Sequence, residues 1–253
     1  MKNELFSIGS FTVHGYGLMI AIGVIAAYLV GTRRAKRYDL DPEQVFDLVL
    51  FGVLGGFLCA KILYLITILD QVIADPSVIL DTADGFVVYG GIIGGIFTGW
   101  VVCRIKKLHF LKYLDLLVPS IALAQGFGRI GCLLAGCCYG KETASALSIT
   151  FTDSSFAPNG VALIPTQIYS SSLDFLHFGL LCFLARRNKV PGRISAFYLI
   201  FYSVGRFILE FFRGDLIRGS VGALSTSQFI AIFVGLFGAL MLWKLSGRKE
   251  EQA

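Results

Sequence analysis

Residues 45–69 read VFDLVLFGVLGGFLCAKILYLITIL, a run in which only Asp47 and Lys61 carry charge. The hydrocarbon core of a bilayer is about 30 Å thick and takes about 20 apolar helical residues to cross. The run therefore predicts a membrane-spanning helix. Its glycines, Gly52, Gly55 and Gly56, are not the signature of a flexible linker. Flanked by Phe, Leu and Ile, they are small positions at which helix backbones approach closely in lipid.

Working outward, six more apolar segments can be drawn: Phe11–Gly31, Phe86–Cys103, Leu114–Gly136, Thr166–Ala185, Ile194–Phe212 and Gly222–Trp243. The segment over 86–103 repeats the small-residue pattern with Gly90, Gly91, Gly94, Gly95 and Gly99. Of the 253 residues 55% are hydrophobic and 15% charged, with a mean hydropathy of +0.73, whereas soluble domains carry roughly 25% charged residues. Six cysteines are too few for a disulfide scaffold of this length. The first apolar segment is long, with charges close behind it, and so does not read as a cleaved signal peptide.

Basic residues set the expected orientation. RRAKR (33–37) follows the first segment, Arg104, Lys106, Lys107 and Lys112 follow the third, and Arg186, Arg187, Lys189 and Arg193 follow the fifth. The tail adds Lys244, Arg248 and Lys249, while the opposite side holds Lys2, Lys141, Arg213 and Arg218. The loop after the second segment is acidic, with Asp70, Asp75, Asp81 and Asp84. The expected fold is an all-α integral membrane protein: one polytopic domain, seven transmembrane helices, N-terminus outside and C-terminus cytoplasmic. With its basic residues in loops, the net charge of +5 argues for no nucleic-acid partner. The loop over 139–165 is expected outside, with a short strand in LSITF (147–151), either capping a site or serving as an ordinary connection.

That topology carries the unusual polar residues to one leaflet. Arg129, Cys132, Cys137 and Cys138 fall at the outer end of the fourth span, and Tyr202, Arg206 and Glu210 in the outer half of the sixth. Tyr16 and Tyr89 open the first and third, Lys61 approaches the outer end of the second, and His14 stands at the outer end of the first. A charged residue within a membrane segment is costly and is usually functional or paired. Guanidinium grips phosphate through a planar fork of donors even when partly desolvated. The plainer readings are that Glu210 neutralises Arg206 four residues earlier, that the tyrosines belong to an aromatic belt, and that Lys61 snorkels. The C-x4-C-C spacing without a nearby histidine is a poor zinc pattern, so no metal is expected. Packing, a disulfide, or a reactive thiol beside Arg129 are the alternatives for the cysteines. His177, at helical spacing from Asp174, reads as a satisfied polar contact.

Six motifs then fall in order: HGYGLMIAIG (14–23), YGGIIGG (89–95), GRIG (128–131), PTQIYSS (165–171), YSVGRFILEFFR (202–213) and STSQ (225–228). Together they resemble the prolipoprotein diacylglyceryl transferase family, nearly end to end. The resemblance implies seven spans in a bacterial plasma membrane and a site facing the extracytoplasmic side. It implies attack of a prolipoprotein lipobox thiol on the glyceryl C3 of phosphatidylglycerol, releasing glycerol-1-phosphate. Membrane lipid and the precursor's signal peptide would be the partners, and no cofactor is implied. Arg129, Arg206, Tyr89 and Glu210 match the catalytic positions. Tyr16, Tyr202, His14, Lys61, Gln167, Cys132, Cys137 and Cys138 are the expected substrate-binding set. The chain departs from the family in three places: Cys132, Ala135 and Cys137 replace two amides and a carboxylate after GRI, Tyr89 replaces a histidine, and Ser170 replaces a glutamate. The departures keep two other readings open: a relative that uses its thiols in a different transfer or redox reaction, and a non-catalytic lipid-binding or transport protein.

Overall fold

A computed structural model describes residues 4–8, 11–80, 85–215, 219–222 and 224–247. Lys2, Asp81, Asp84, Arg218, Arg248 and Lys249, which enter the charge pattern above, lie outside the described residues. The helices are α1 (Gly15–Arg37), α2 (Pro42–Thr67), α3 (Leu69–Ala74), α4 (Val88–Ile105), α5 (Phe110–Ala135), α6 (Thr166–Ala185), α7 (Arg193–Glu210) and α8 (Thr226–Ser246). Three antiparallel strand pairs accompany them: β1 (Glu4–Ile8) with β2 (Phe11–His14), β3 (Ile149–Thr150) with β4 (Ala162–Leu163), and β5 (Ser220–Val221) with β6 (Leu224–Ser225). All the helices but α3 and α7 are long and apolar enough to cross a membrane. α7 has 18 residues and includes Arg193, Arg206 and Glu210. Leu58 and Phe237 are each 62% exposed, as side chains facing lipid would be. The protein is a helical integral membrane protein.

Several boundaries differ from the sequence expectation. Residues 11–14 are strand rather than the start of the first span, because they pair with β1 in register Ile8↔Phe11 and Glu4↔His14. α1 instead continues to Arg37, its last turn carrying Arg34, Lys36 and Arg37, cations that suit the negative end of the helix dipole. The last span begins at Thr226 because Ser220–Ser225 forms a hairpin, and Ser225 and Gln228 then close a reciprocal capping box on α8. After α2 the chain forms α3 and then a 3₁₀ turn at Pro76–Leu80. A strand does form within 147–151, but it is only the two residues of β3.

The described chain forms two compact units, one of residues to Val30 and from Leu114, the other of Gly31–Tyr113. In the second unit, α2 starts at a cap where Asp41 Oδ1 accepts from the Glu43 N–H at 2.9 Å, with Pro42 in the first turn. Asp47 of α2 pairs with Lys106 just past α4. The helices meet through glycine: a Cβ at Gly94 would lie 2.3 Å from Cys59 Cβ and 2.7 Å from Gly55 O. Gly94→Leu is therefore expected to destabilise this helix pair by about 3 kcal/mol, the upper end of overpacking costs. Gly99→Ala, where nothing lies within 4 Å, should be neutral or slightly stabilising. Thermal unfolding in detergent compares the two, and equal behaviour would contradict the close approach.

In the first unit, α5 holds the start of α7. Asp115 Oδ2 accepts from Gly192 N–H at 2.7 Å, and its Oδ1 accepts from Ser195 N–H at 2.8 Å and Ser195 Oγ at 2.6 Å. The carboxylate thus satisfies amides that a helix start leaves without partners and fixes where α7 begins. α6 is tied to α5 by Ser171 Oγ donating to Gly126 O at 3.0 Å. The 139–165 loop has its own small core of Phe151, Ala157 and Leu163, with Leu133 and Tyr139 packed on it. It is therefore a folded element whose conformation constrains the end of α5.

Candidate functional site

The centre is the C-terminal end of α5 and the turn after it. Arg129 and Cys132 are three residues apart and share a face of the helix. Gly136, at φ +75°, ends the helix in the left-handed conformation that glycine adopts without penalty. The Cys137 N–H then reaches Cys132 O at 3.1 Å, and Cys138 takes φ +60°. This reversal brings the Sγ atoms of Cys132, Cys137 and Cys138 within 4.8 Å of one another. Hydrogen bonding with Cys132 and then Cys138, together with burial, pushes the Cys137 thiol well above its ordinary pKa.

The turn is fixed from outside. Gln167 Nε2 donates to Cys137 O at 2.9 Å and Thr166 Oγ1 to Cys138 O at 2.8 Å. Both side chains are buried, at 1% and 2% exposure. Gly140 pairs with Ile164 at 3.1 Å, and Gly214 N–H donates to Tyr139 O at 3.1 Å. Arg213, also buried, makes a bidentate contact with Asp215 at 2.8 and 2.5 Å and hydrogen-bonds with the Cys138 thiol. Thus PTQIYSS and the end of YSVGRFILEFFR both act on the cysteine turn.

Arg129 is half-buried and, among the described residues, forms no ion pair within 4 Å. Its electrostatic neighbours are Cys132, Tyr202, Cys138 and Asp174. Arg206 is placed differently. Its Nη2 donates to Ser227 Oγ at 2.8 Å and lies 2.9 Å from Glu210 Oε2. The second contact is an ion pair without hydrogen-bond alignment, since Glu210 Oε2 is buried with no hydrogen-bond partner. The neutralising contact that the four-residue spacing allows is therefore formed. Arg206 also interacts electrostatically with Tyr202 and Arg129.

The remaining candidates divide between the units. Tyr16, 42% exposed, packs against α5 where a Cβ at Gly131 would be 3.1 Å from its ring. It interacts electrostatically with the three cysteines and Arg129. Tyr202 stacks on Tyr198 at 5.9 Å. His14 is exposed at the end of β2. Lys61 and Tyr89 belong to the second unit. There the Lys61 ammonium stands over the Tyr64 and Phe86 rings at 5.1 and 5.6 Å, a cation–π arrangement, and Tyr89 is exposed in the first turn of α4. Gln167 Oε1 has no partner despite its burial.

Some neighbours were not singled out by sequence reasoning. Asp174, named in the sequence only as a neighbour of His177, interacts electrostatically with Arg129. The His177 ring instead stacks on Tyr198 at 5.2 Å, with Nε2 buried and lacking a hydrogen bond, so the expected satisfied contact is corrected. Tyr198 donates to Gln125 Oε1 at 3.1 Å. Arg213 entered the sequence reading as a charge of the opposite side and as the last residue of YSVGRFILEFFR, and Asp215 did not enter it.

Comparison with known proteins bears on this arrangement directly. The family model described as "Prolipoprotein diacylglyceryl transferase" matches residues 3–244. A Clostridium tetani protein named phosphatidylglycerol–prolipoprotein diacylglyceryl transferase is 47% identical, over 94% of this chain and 95% of its own length. A Clostridium perfringens protein of that name, numbered 2, is 48% identical over 99% of this chain and 98% of its own. One from Finegoldia magna is 33% identical over 95% and 94%. With the match running through GRIG, the cysteine turn and the α7 motif alike, the chain belongs to the prolipoprotein diacylglyceryl transferase family.

Proposed function

We propose that the protein transfers the diacylglyceryl group of phosphatidylglycerol to the lipobox cysteine thiol of a prolipoprotein, at the outer leaflet of the bacterial plasma membrane. The observation that carries this reading is Arg129, a half-buried guanidinium with no ion pair among the described residues, in the GRIG motif of a chain 47–48% identical to enzymes of that name. Such a cation is poised for an anionic group, and a phosphodiester fits its planar fork.

In the reaction, the thiol releases its proton to solvent, sulfur bonds to glyceryl C3 while the C3–O bond breaks, and the electron pair leaves with glycerol-1-phosphate. The phosphate gains a full charge as it departs. A fixed guanidinium stabilises that charge more in the transition state than in the diester, which is where rate is gained. Arg206, held by Glu210 and Ser227, adds a second, oriented cation. Tyr16 and Tyr202 border the phosphate position. The basic-residue pattern supports a C-terminal end of α5 at the outer face, where a translocated precursor presents its thiol.

The test is reconstitution of the purified protein in phosphatidylglycerol vesicles with a prolipoprotein peptide. The peptide should gain the mass of one diacylglyceryl group, with glycerol phosphate released in equal amount, and a Ser-for-Cys peptide should gain nothing. An intact free thiol after incubation with active-fold protein would overturn the assignment.

A further inference from the structure

Resting on that reading, we infer that Cys132, Cys137 and Cys138 form a zinc site whose open fourth position takes the precursor's thiol and delivers it as thiolate. Linear spacing argues against zinc, but the left-handed turn at Gly136 and Cys138 changes the count of available ligands. Three Sγ atoms lie within 4.8 Å of one another. A zinc–sulfur bond of about 2.3 Å in tetrahedral geometry needs sulfurs roughly 3.8 Å apart. Shifts below an ångström would close the difference. The group contains three cysteines and, among the described residues, no histidine or carboxylate. Structural zinc is held by four protein ligands, whereas catalytic zinc keeps three and an open position.

Three further observations point the same way. The turn is rigid, since Gln167, Thr166 and Arg213 each hold it from buried positions. Second-shell restraint of this kind orients metal ligands. Arg129, one helical turn before Cys132, interacts electrostatically with Cys132 and Cys138, offsetting the negative charge that several thiolates around one dication would carry. Finally, thioether formation needs a thiolate. A metal-bound thiol is deprotonated outright, so no protein base is required.

The step balances. The precursor thiol binds zinc and gives its proton to water. Its sulfur lone pair forms the bond to C3 as the C3–O pair leaves with glycerol phosphate. The neutral thioether is a weak ligand and is replaced by the next thiol.

The test uses the full-length protein, reduced, in detergent, with zinc and cobalt(II) as probes. One metal per chain is expected. Cobalt should give the thiolate charge-transfer and intense visible bands of a tetrahedral site, and a lipobox peptide should alter the visible bands where its Ser-for-Cys counterpart does not. Cys137→Ser should weaken binding by on the order of 100-fold or more, and Cys103→Ser should not. Removing zinc by chelation should slow transfer by on the order of 10²-fold, with recovery on adding zinc back. No tetrahedral cobalt spectrum in the folded, reduced wild type would overturn the inference. So would transfer that is unaffected by chelation, an outcome that leaves the transferase reading intact. Metal binding without lipid transfer to any precursor would instead remove the transferase reading, and with it the role given to the metal.

Discussion

Arg129→Ala is expected to reduce lipid transfer by on the order of 10²–10³-fold, the loss seen when one preorganised donor to a developing oxyanion is removed. The two other guanidiniums described around this site are already engaged. Arg206 is engaged with Glu210 and Ser227, and Arg213 is clamped on Asp215. Arg129→Lys separates charge from geometry. It keeps the cation but loses the bidentate fork, so it should fall between wild type and alanine. The protein should still fold, because Arg129 forms no ion pair among the described residues and its loss relieves the cost of a partly buried charge. The check is initial rate in phosphatidylglycerol vesicles alongside the unfolding temperature. Near-wild-type transfer by the alanine variant would take Arg129 out of the site.

The helices were legible because lipid imposes a simple requirement, about 20 apolar residues each. Their ends were less so. Phe11–His14, Val221 and Leu224 are apolar enough to extend a span, but strand pairing with Glu4–Ile8 and between β5 and β6 removes them from it. Such pairing depends on a partner elsewhere in the chain and leaves little trace in local hydropathy. The same division runs through the site. GRIG announces Arg129, since a charge in an apolar span stands out. The convergence of the cysteines does not announce itself, because it depends on backbone reversal at Gly136 and Cys138 and on the hold of Gln167 and Thr166. Asp174 was misread for a related reason. Spacing along α6 makes His177 its neighbour, while packing of α5 makes it Arg129's electrostatic partner.

Arg206 and Glu210 allow the two meanings of their contact to be separated. If the pair served only to neutralise itself, replacing both residues together would cost little, since buried ion pairs can often be exchanged for apolar groups without loss. Arg206→Met alone leaves the buried Glu210 carboxylate, already without an aligned hydrogen bond, without its counter-charge. That should cost about 3–5 kcal/mol of stability. Glu210→Gln alone removes the carboxylate charge and should be milder, because Ser227 still holds the guanidinium at 2.8 Å. In the double variant, stability should recover most of the loss. Transfer should not recover, because the second cation beside Arg129 is still missing. Unfolding temperature and transfer rate, measured on all three variants, give the separation. Recovery of both together would reduce Arg206 to a structural counter-ion and leave Arg129 as the sole phosphate ligand of the first unit. Recovery of stability alone would make Arg206 a second ligand, with Glu210 as the residue that aims it.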